Sequence, residues 1–315
     1  MAEIGIMIEG QEDMTWERFF KIAETVEALG FDSLFRSDHL TALEGFPGRS
    51  TLALWPSLTA LALRTKRIRF GPMVCSMTFR HPALVAKMAA AVDVLSGGRL
   101  DLGLGAGWFK GEHQMFGIDY PPYKKRLEML DEGIQVIKGL WSGQPFTFQG
   151  NHYQLDSAEN HPRPAQANPV IIMGGKGEKT LQIIARRATE WNCSYVGVDV
   201  FRQKSNELDE NCRKIGRDPA TLRRSLMIPF VLGKDDKAVQ ERIDGQRATF
   251  PGLPSTHTDW LAAGFLGGSP GQMIDQMSVF VEAGIERFML QHNDLDDLVS
   301  LATLSNKVLP DFGPG

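Results

Sequence analysis

The chain has 315 residues, 43% of them hydrophobic and 23% charged, and a formal net charge of −4. That balance excludes a disordered chain, a collagen-like repeat and a coiled-coil rod, and it offers no general basic field for nucleic acid or an anionic membrane. Cys75, Cys193 and Cys212 are odd in number, widely spaced and in no CxxC pair, so a reducing, cytoplasmic setting is expected rather than a disulfide framework. No run of about 18 apolar residues occurs, and the opening MAEIGIMIEGQED lacks the basic start and long apolar run of a signal peptide.

Short apolar runs alternate with amphipathic stretches along the chain. Ile4 to Ile8 reads as a strand ending at Glu9-Gly10. Thr15 can cap a helix carrying Phe19, Ile22, Ala23, Val26 and Leu29 on one face, stopped by Gly30. Asp32 to Arg36 reads as a second strand, leading into Ser37-Asp38-His39. A Gly- and Pro-rich loop follows, then a helix over Leu52 to Leu63, a third strand over Ile68 to Cys75, and a helix opened by Pro82 and running to Leu95. Leu100 to Leu104 is a fourth strand, followed by Gly103, Gly105 and Gly107 and a loop-like stretch from Lys110 to Tyr123. A long helix covers Tyr123 to Trp141, and the alternation over Gln144 to Leu155 predicts a hairpin outside the main sheet. The rhythm then repeats: strand Val170 to Met173, helix Glu178 to Arg187, strand Trp191 to Val196, helix Phe201 to Ile215, strand Leu226 to Leu232, helix Asp236 to Gln246. After an aperiodic stretch come helix Pro270 to Glu282, strand Phe288 to Gln291 and a last helix over Leu295 to Val308.

Eight strand–helix units in order predict the α/β class. A closed (β/α)8 TIM barrel with insertions is favoured, and an open doubly wound sheet is the alternative. No disordered linker divides the chain, so residues 1–315 read as one domain with insertions near 108–122, 144–168 and 247–268. Such a barrel carries its active site at the C-terminal ends of its strands. The residues to inspect are then Glu9, Asp38, His39, Val74 to Met77, Gly105 to Trp108, Gly174 to Gly177, Tyr195 and His292.

Gly103-Leu-Gly105-Ala-Gly107 looks like a dinucleotide fingerprint, but it follows the fourth strand rather than the first and opens no helix. Gly174-Gly175-Lys176-Gly177 follows a strand and opens a helix. Its glycines let backbone approach a ligand and the helix start offers N–H groups, so it reads as a phosphate cradle or as a plain turn. Asp38-His39 could hold and move a proton, or could be a structural turn pair. His81, His113, His152, His161 and His257 have no partners at metal spacing, so no metal site is expected, and no GxSxG elbow suggests a serine hydrolase.

The strings GFDSLFRSDHL, RIRFGPMVCSMTFRHPALVAKMAAAVDVLSGGRLDLGLGAGW and PVIIMGGKGEKTLQIIARRATEWN resemble the bacterial luciferase-like superfamily, and within it the oxidoreductases that use the deazaflavin coenzyme F420. The resemblance implies a (β/α)8 barrel, usually a homodimer, acting on a small-molecule substrate. It implies that Asp38 and His39 stand beside the deazaflavin ring, His39 handling the proton. By the same likeness Met73 and Val74 support the ring from behind across a cis peptide bond. Gly105, Ala106, Gly107 and Trp108 flank the ring and ribityl chain, and Gly174, Gly175, Lys176 and Gly177 hold the phosphate. Lys179, Arg186 and Arg187 suit the anionic F420 tail or are solvated helix surface. The sugar-phosphate branch carries Glu and Asn where this chain has Trp108 and Gly111, so glucose 6-phosphate is not the expected substrate. FMN is the rival cofactor and would imply a monooxygenase; a non-catalytic flavin or deazaflavin carrier would lack an open cavity. Phe79, Trp108, Phe109 and Met77 read as an apolar wall of such a cavity or as ordinary core.

Overall fold

A computed structural model describes residues 1–43 and 48–313. Part of the Gly- and Pro-rich loop after the second strand therefore lies outside the described residues. The strands are β1 (Glu3–Ile8), β2 (Ser33–Arg36), β3 (Arg69–Pro72), β4 (Cys75–Ser76), β5 (Leu102–Gly105), β6 (Phe146–Gln149), β7 (Gln154–Ala158), β8 (Ile171–Gly174), β9 (Glu190–Ser194), β10 (Arg223–Leu232), β11 (Leu266–Gly268) and β12 (Arg287–Gln291). The helices are α1 (Trp16–Ala28), α2 (Leu54–Arg64), α3 (Pro82–Ser96), α4 (Lys110–Met115), α5 (Tyr123–Trp141), α6 (Glu178–Arg187), α7 (Val198–Lys214), α8 (Asp236–Thr249), α9 (His257–Ala262), α10 (Pro270–Glu282) and α11 (Leu298–Lys307).

The main sheet is parallel and runs β3-β2-β1-β12-β10-β9-β8-β5-β4. Its two ends are one strand: β3 and β4 are separated by Met73 and Val74, whose peptide bond is cis. A bridge from Phe70 to Leu100 and the pairing of Cys75 with Leu104 close the ring. Eight sequential barrel strands result, as the unit count predicts.

Alternation along the strands sorts side chains into two cores. Ile4, Ile6 and Ile8 of β1 and Phe288 and Leu290 of β12 join the layer between barrel and helices. Met7, Phe35, Met73, Ile172 and Met289 fill the barrel interior. Helix α1 buries Phe19, Ile22, Ala23 and Val26, one stripe at 3.6-residue period, behind a Thr15 cap.

The glycines after the fourth apolar run serve close packing. A Cβ at Gly103 would lie 2.1 Å from the Pro72 carbonyl oxygen, and one at Gly105 would lie 2.4 Å from the Val74 side chain. No dinucleotide fingerprint is needed to explain them. The β6–β7 hairpin stands apart from the barrel, as expected.

Two stretches differ from their sequence reading. Lys110–Met115 forms α4 instead of loop, held by tertiary bonds rather than by any side-chain cap. The aperiodic stretch contains α9, capped by Thr256, and β11, which pairs the far end of β10. Both elements are too short to show a period.

Candidate active site

At the C-terminal ends of the strands lies a cavity of about 330 Å³. It gathers the twelve residues to which the resemblance gives a place beside the ring or the phosphate: Asp38, His39, Met73, Val74, Gly105, Ala106, Gly107, Trp108, Gly174, Gly175, Lys176 and Gly177. Phe79 and Trp108 of the expected apolar wall line it too. Met77 does not; it packs in the core against Gly133. Phe109 stands behind the cavity, with its ring 6.4 Å from that of His39.

Sequence reading pairs His39 with Asp38; the structure pairs each with a different residue. His39 Nδ1 lies 3.0 Å from Glu112 Oε1. The other oxygen of Glu112 accepts from the Leu40 backbone N–H at 2.9 Å. Glu112 is buried on α4, so its charge is spent on these two donors. Asp38 instead accepts a bidentate pair from Arg80 at 2.5 and 3.0 Å. Burial on its own would lower the His39 pKa, but the hydrogen bond and charge of Glu112, with Glu9 and Asp38 behind it, raise it above the ordinary histidine value. Because Nδ1 is committed to Glu112, Nε2 is the ring nitrogen left for chemistry. Trp108 meets the imidazole edge-on with centroids 5.5 Å apart.

Glu112 and Arg80 escaped the sequence reading. Arg80 follows the third strand closely and could have been flagged as a counter-charge for Asp38. Glu112 lies 73 residues from His39 and carries no local signature.

Across the cavity, the glycine loop leads into α6. A Cβ on Gly177 would project to 3.7 Å from both the Thr180 and Tyr123 hydroxyls, which are themselves 3.0 Å apart. The absent side chain leaves a cradle lined by two hydroxyls, Lys176 and the first N–H groups of a helix, which fits a phosphate ester. Arg186 and Arg187 take no part: both pair with Asp131 of α5, at 3.5 and 2.6 Å.

Two other strand-end residues prove to be structural. His292 is fully buried against Phe230, its Nε2 without a hydrogen-bond partner, and burial pushes its pKa down to about 4. Tyr195 turns its hydroxyl to Gln291 and does not line the cavity. Among the described residues no group of three or more His, Cys, Asp or Glu side chains could hold a metal ion. Among them, too, no helix is long and apolar enough to cross a membrane.

Residues 1–287 match the family of luciferase-like monooxygenases. The chain belongs to that family. It is 28% identical over 308 residues to an F420-dependent glucose-6-phosphate dehydrogenase of Microbacterium testaceum, covering 90% of each chain. It is 26% identical over 323 residues to an F420-dependent hydroxymycolic acid dehydrogenase of Mycobacterium tuberculosis, covering 98% of this chain and 88% of that one. Among solved structures, an F420-dependent secondary alcohol dehydrogenase superposes with a TM-score of 0.86 at 20% identity over 99% of both chains, a likeness of fold.

Proposed function

We propose that this chain is an F420-dependent oxidoreductase that transfers a hydride between the deazaflavin and a small organic substrate. The observation that carries the reading is one cavity holding a histidine of raised pKa opposite a glycine phosphate cradle. The two curated relatives named above, both F420-dependent dehydrogenases, support it.

When bound, the deazaflavin would supply the hydride chemistry. Gly174 to Gly177 and Thr180 would hold the phosphate, and Met73, Val74 and Gly105 to Trp108 would enclose the ring. Oxidising an alcohol also requires removal of the hydroxyl proton, and His39 Nε2 takes it. Glu112 fixes the tautomer and stabilises the imidazolium that forms. Asp38, held by the Arg80 guanidinium, would help position the ring. The open cavity supports catalysis over a carrier role.

Parallel titration with F420 and FMN, followed by single-turnover reduction of F420 with a panel of secondary alcohols, tests the reading. Sub-micromolar FMN binding without F420 binding would overturn it in favour of the monooxygenase alternative. As a homodimer, the chain would pair through α2 and α3, which pack side by side and each expose large apolar side chains, Leu63 on α2 and Leu84, Val94 and Leu95 on α3. A monomer-sized species in sedimentation at micromolar concentration would rule that out.

A further inference from the structure

Helix α4 carries a second polar arm beside Glu112. His113 is fully buried, and its Nδ1 lies 2.8 Å from the Phe109 carbonyl oxygen. A carbonyl only accepts, so Nδ1 carries the proton. In the neutral ring Nε2 is then an acceptor, and its partner at 2.7 Å is the Thr78 hydroxyl. A hydroxyl has a single proton, and Thr78 spends it on His113. Thr78 must therefore accept from Ser76, whose Oγ lies 2.8 Å away. Ser76 lines the cavity, and its own proton points away from it. The Gly107 backbone covers the hydroxyl pair: a Cβ there would lie 2.6 Å from Ser76 Oγ and 2.7 Å from Thr78 Oγ1.

We propose that His113, acting through Thr78, is a positioning residue that fixes Ser76 as a hydrogen-bond acceptor toward the cavity, so that the site takes a cofactor edge that donates an N–H there. The inference rests on the reading of the cavity as a deazaflavin site. Without the relay, Ser76 could turn its proton inward and meet a donor with a donor. The two arms of α4 would then divide the work, Glu112 orienting the proton-handling imidazole and His113 orienting the acceptor for the cofactor.

The test is fluorescence titration of oxidised F420 into purified wild type, Thr78→Val, Thr78→Ser, Ser76→Ala and the double variant Ser76→Ala/Thr78→Val, with thermal melts in parallel. Thr78 is half-buried, so the isosteric valine should fold. Thr78→Val is expected to weaken F420 about five- to tenfold, the range for one hydrogen bond. Ser76→Ala should lose a similar factor, the double variant no more than either single one, and Thr78→Ser should restore wild-type affinity. A Ser76→Ala loss with wild-type affinity in Thr78→Val would overturn the relay, as would additive losses or a failure of Thr78→Ser to rescue. Unchanged affinity in all the variants would overturn it too while leaving the cofactor reading standing. Absence of F420 binding by the wild type would overturn that reading and the relay with it.

Discussion

The two ends of the barrel both bury charge, and they use it differently. At the N-terminal end Arg287 of β12 is 1% exposed and donates to Glu3 and Asp101, each at 2.9 Å, with Glu190 at 3.3 Å. Arg69 closes on the same Asp101, and Arg223 on Glu3. These charges face one another rather than the cavity at the C-terminal ends of the strands. At the C-terminal end the pairs His39–Glu112 and Asp38–Arg80 each leave a ring or an edge turned to open space. A charge fully enclosed by partners serves stability, whereas a charge paired on one side only is available for chemistry.

Substitutions at the two ends should separate these roles. His39→Ala is expected to lower turnover by about 10²–10⁴-fold. Normal turnover with weakened cofactor binding would reduce His39 to a binding residue and break the contrast. At the other end, Arg287→Met takes the guanidinium at 3.3 Å away from buried Glu190 and leaves Asp101 to Arg69 alone. It should cost roughly 3–5 kcal/mol in urea unfolding while the folded fraction keeps its cofactor affinity. A loss of affinity there, with stability intact, would mean that the lower end also shapes the site. Gly177→Asp sharpens the comparison from within the cavity. Its carboxylate would enter the cradle between Thr180 and Tyr123 and repel a bound phosphate. A like charge at that distance should weaken F420 on the order of 100-fold by titration without a matching loss in melting temperature. Unchanged affinity in a folded variant would remove the cradle from the cofactor site.

What sequence made legible follows the same division. Each of the twelve site residues named beforehand sits at or beside a strand end; strand ends are readable because short apolar runs stop at Gly, Ser or Asp, and the family resemblance supplied the roles there. A (β/α)8 barrel then brings consecutive strand ends together without further information. Partners across the barrel are not readable this way. Glu112 meets His39, and Arg287 meets Asp101, over separations of 73 and 186 residues. Neither pairing leaves a trace in local composition. Helix α4 shows why: it has six residues and no side-chain cap, so neither period nor boundary marks it, yet its Glu112 reaches His39 and its His113 reaches Thr78.

Glu112→Gln tests that unreadable contact and carries the smallest of the expected effects. Glutamine keeps one oxygen for two donors, so either His39 or the Leu40 amide loses its acceptor, and His39 loses a counter-charge. With that charge gone, burial dominates and the His39 pKa falls. In the wild type the pKa stands above the ordinary histidine value of 6.5, so the acid limb of alcohol oxidation, which needs neutral Nε2, should lie above that pH. In Glu112→Gln the limb should move to lower pH, and the plateau rate should drop about tenfold because the imidazolium is no longer stabilised. The stability signature has the opposite pH sense. A raised folded pKa stabilises the protein fully below the unfolded value of 6.5, and the benefit disappears as pH rises through the folded value. Wild type should therefore melt above Glu112→Gln by most below pH 6.5, and the part of the gap owed to His39 protonation should close as pH rises through the folded value. A variant with the wild-type acid limb and a pH-independent stability difference would show Glu112 to be packing alone, and the upper end of the barrel would then differ less from the lower than its geometry implies.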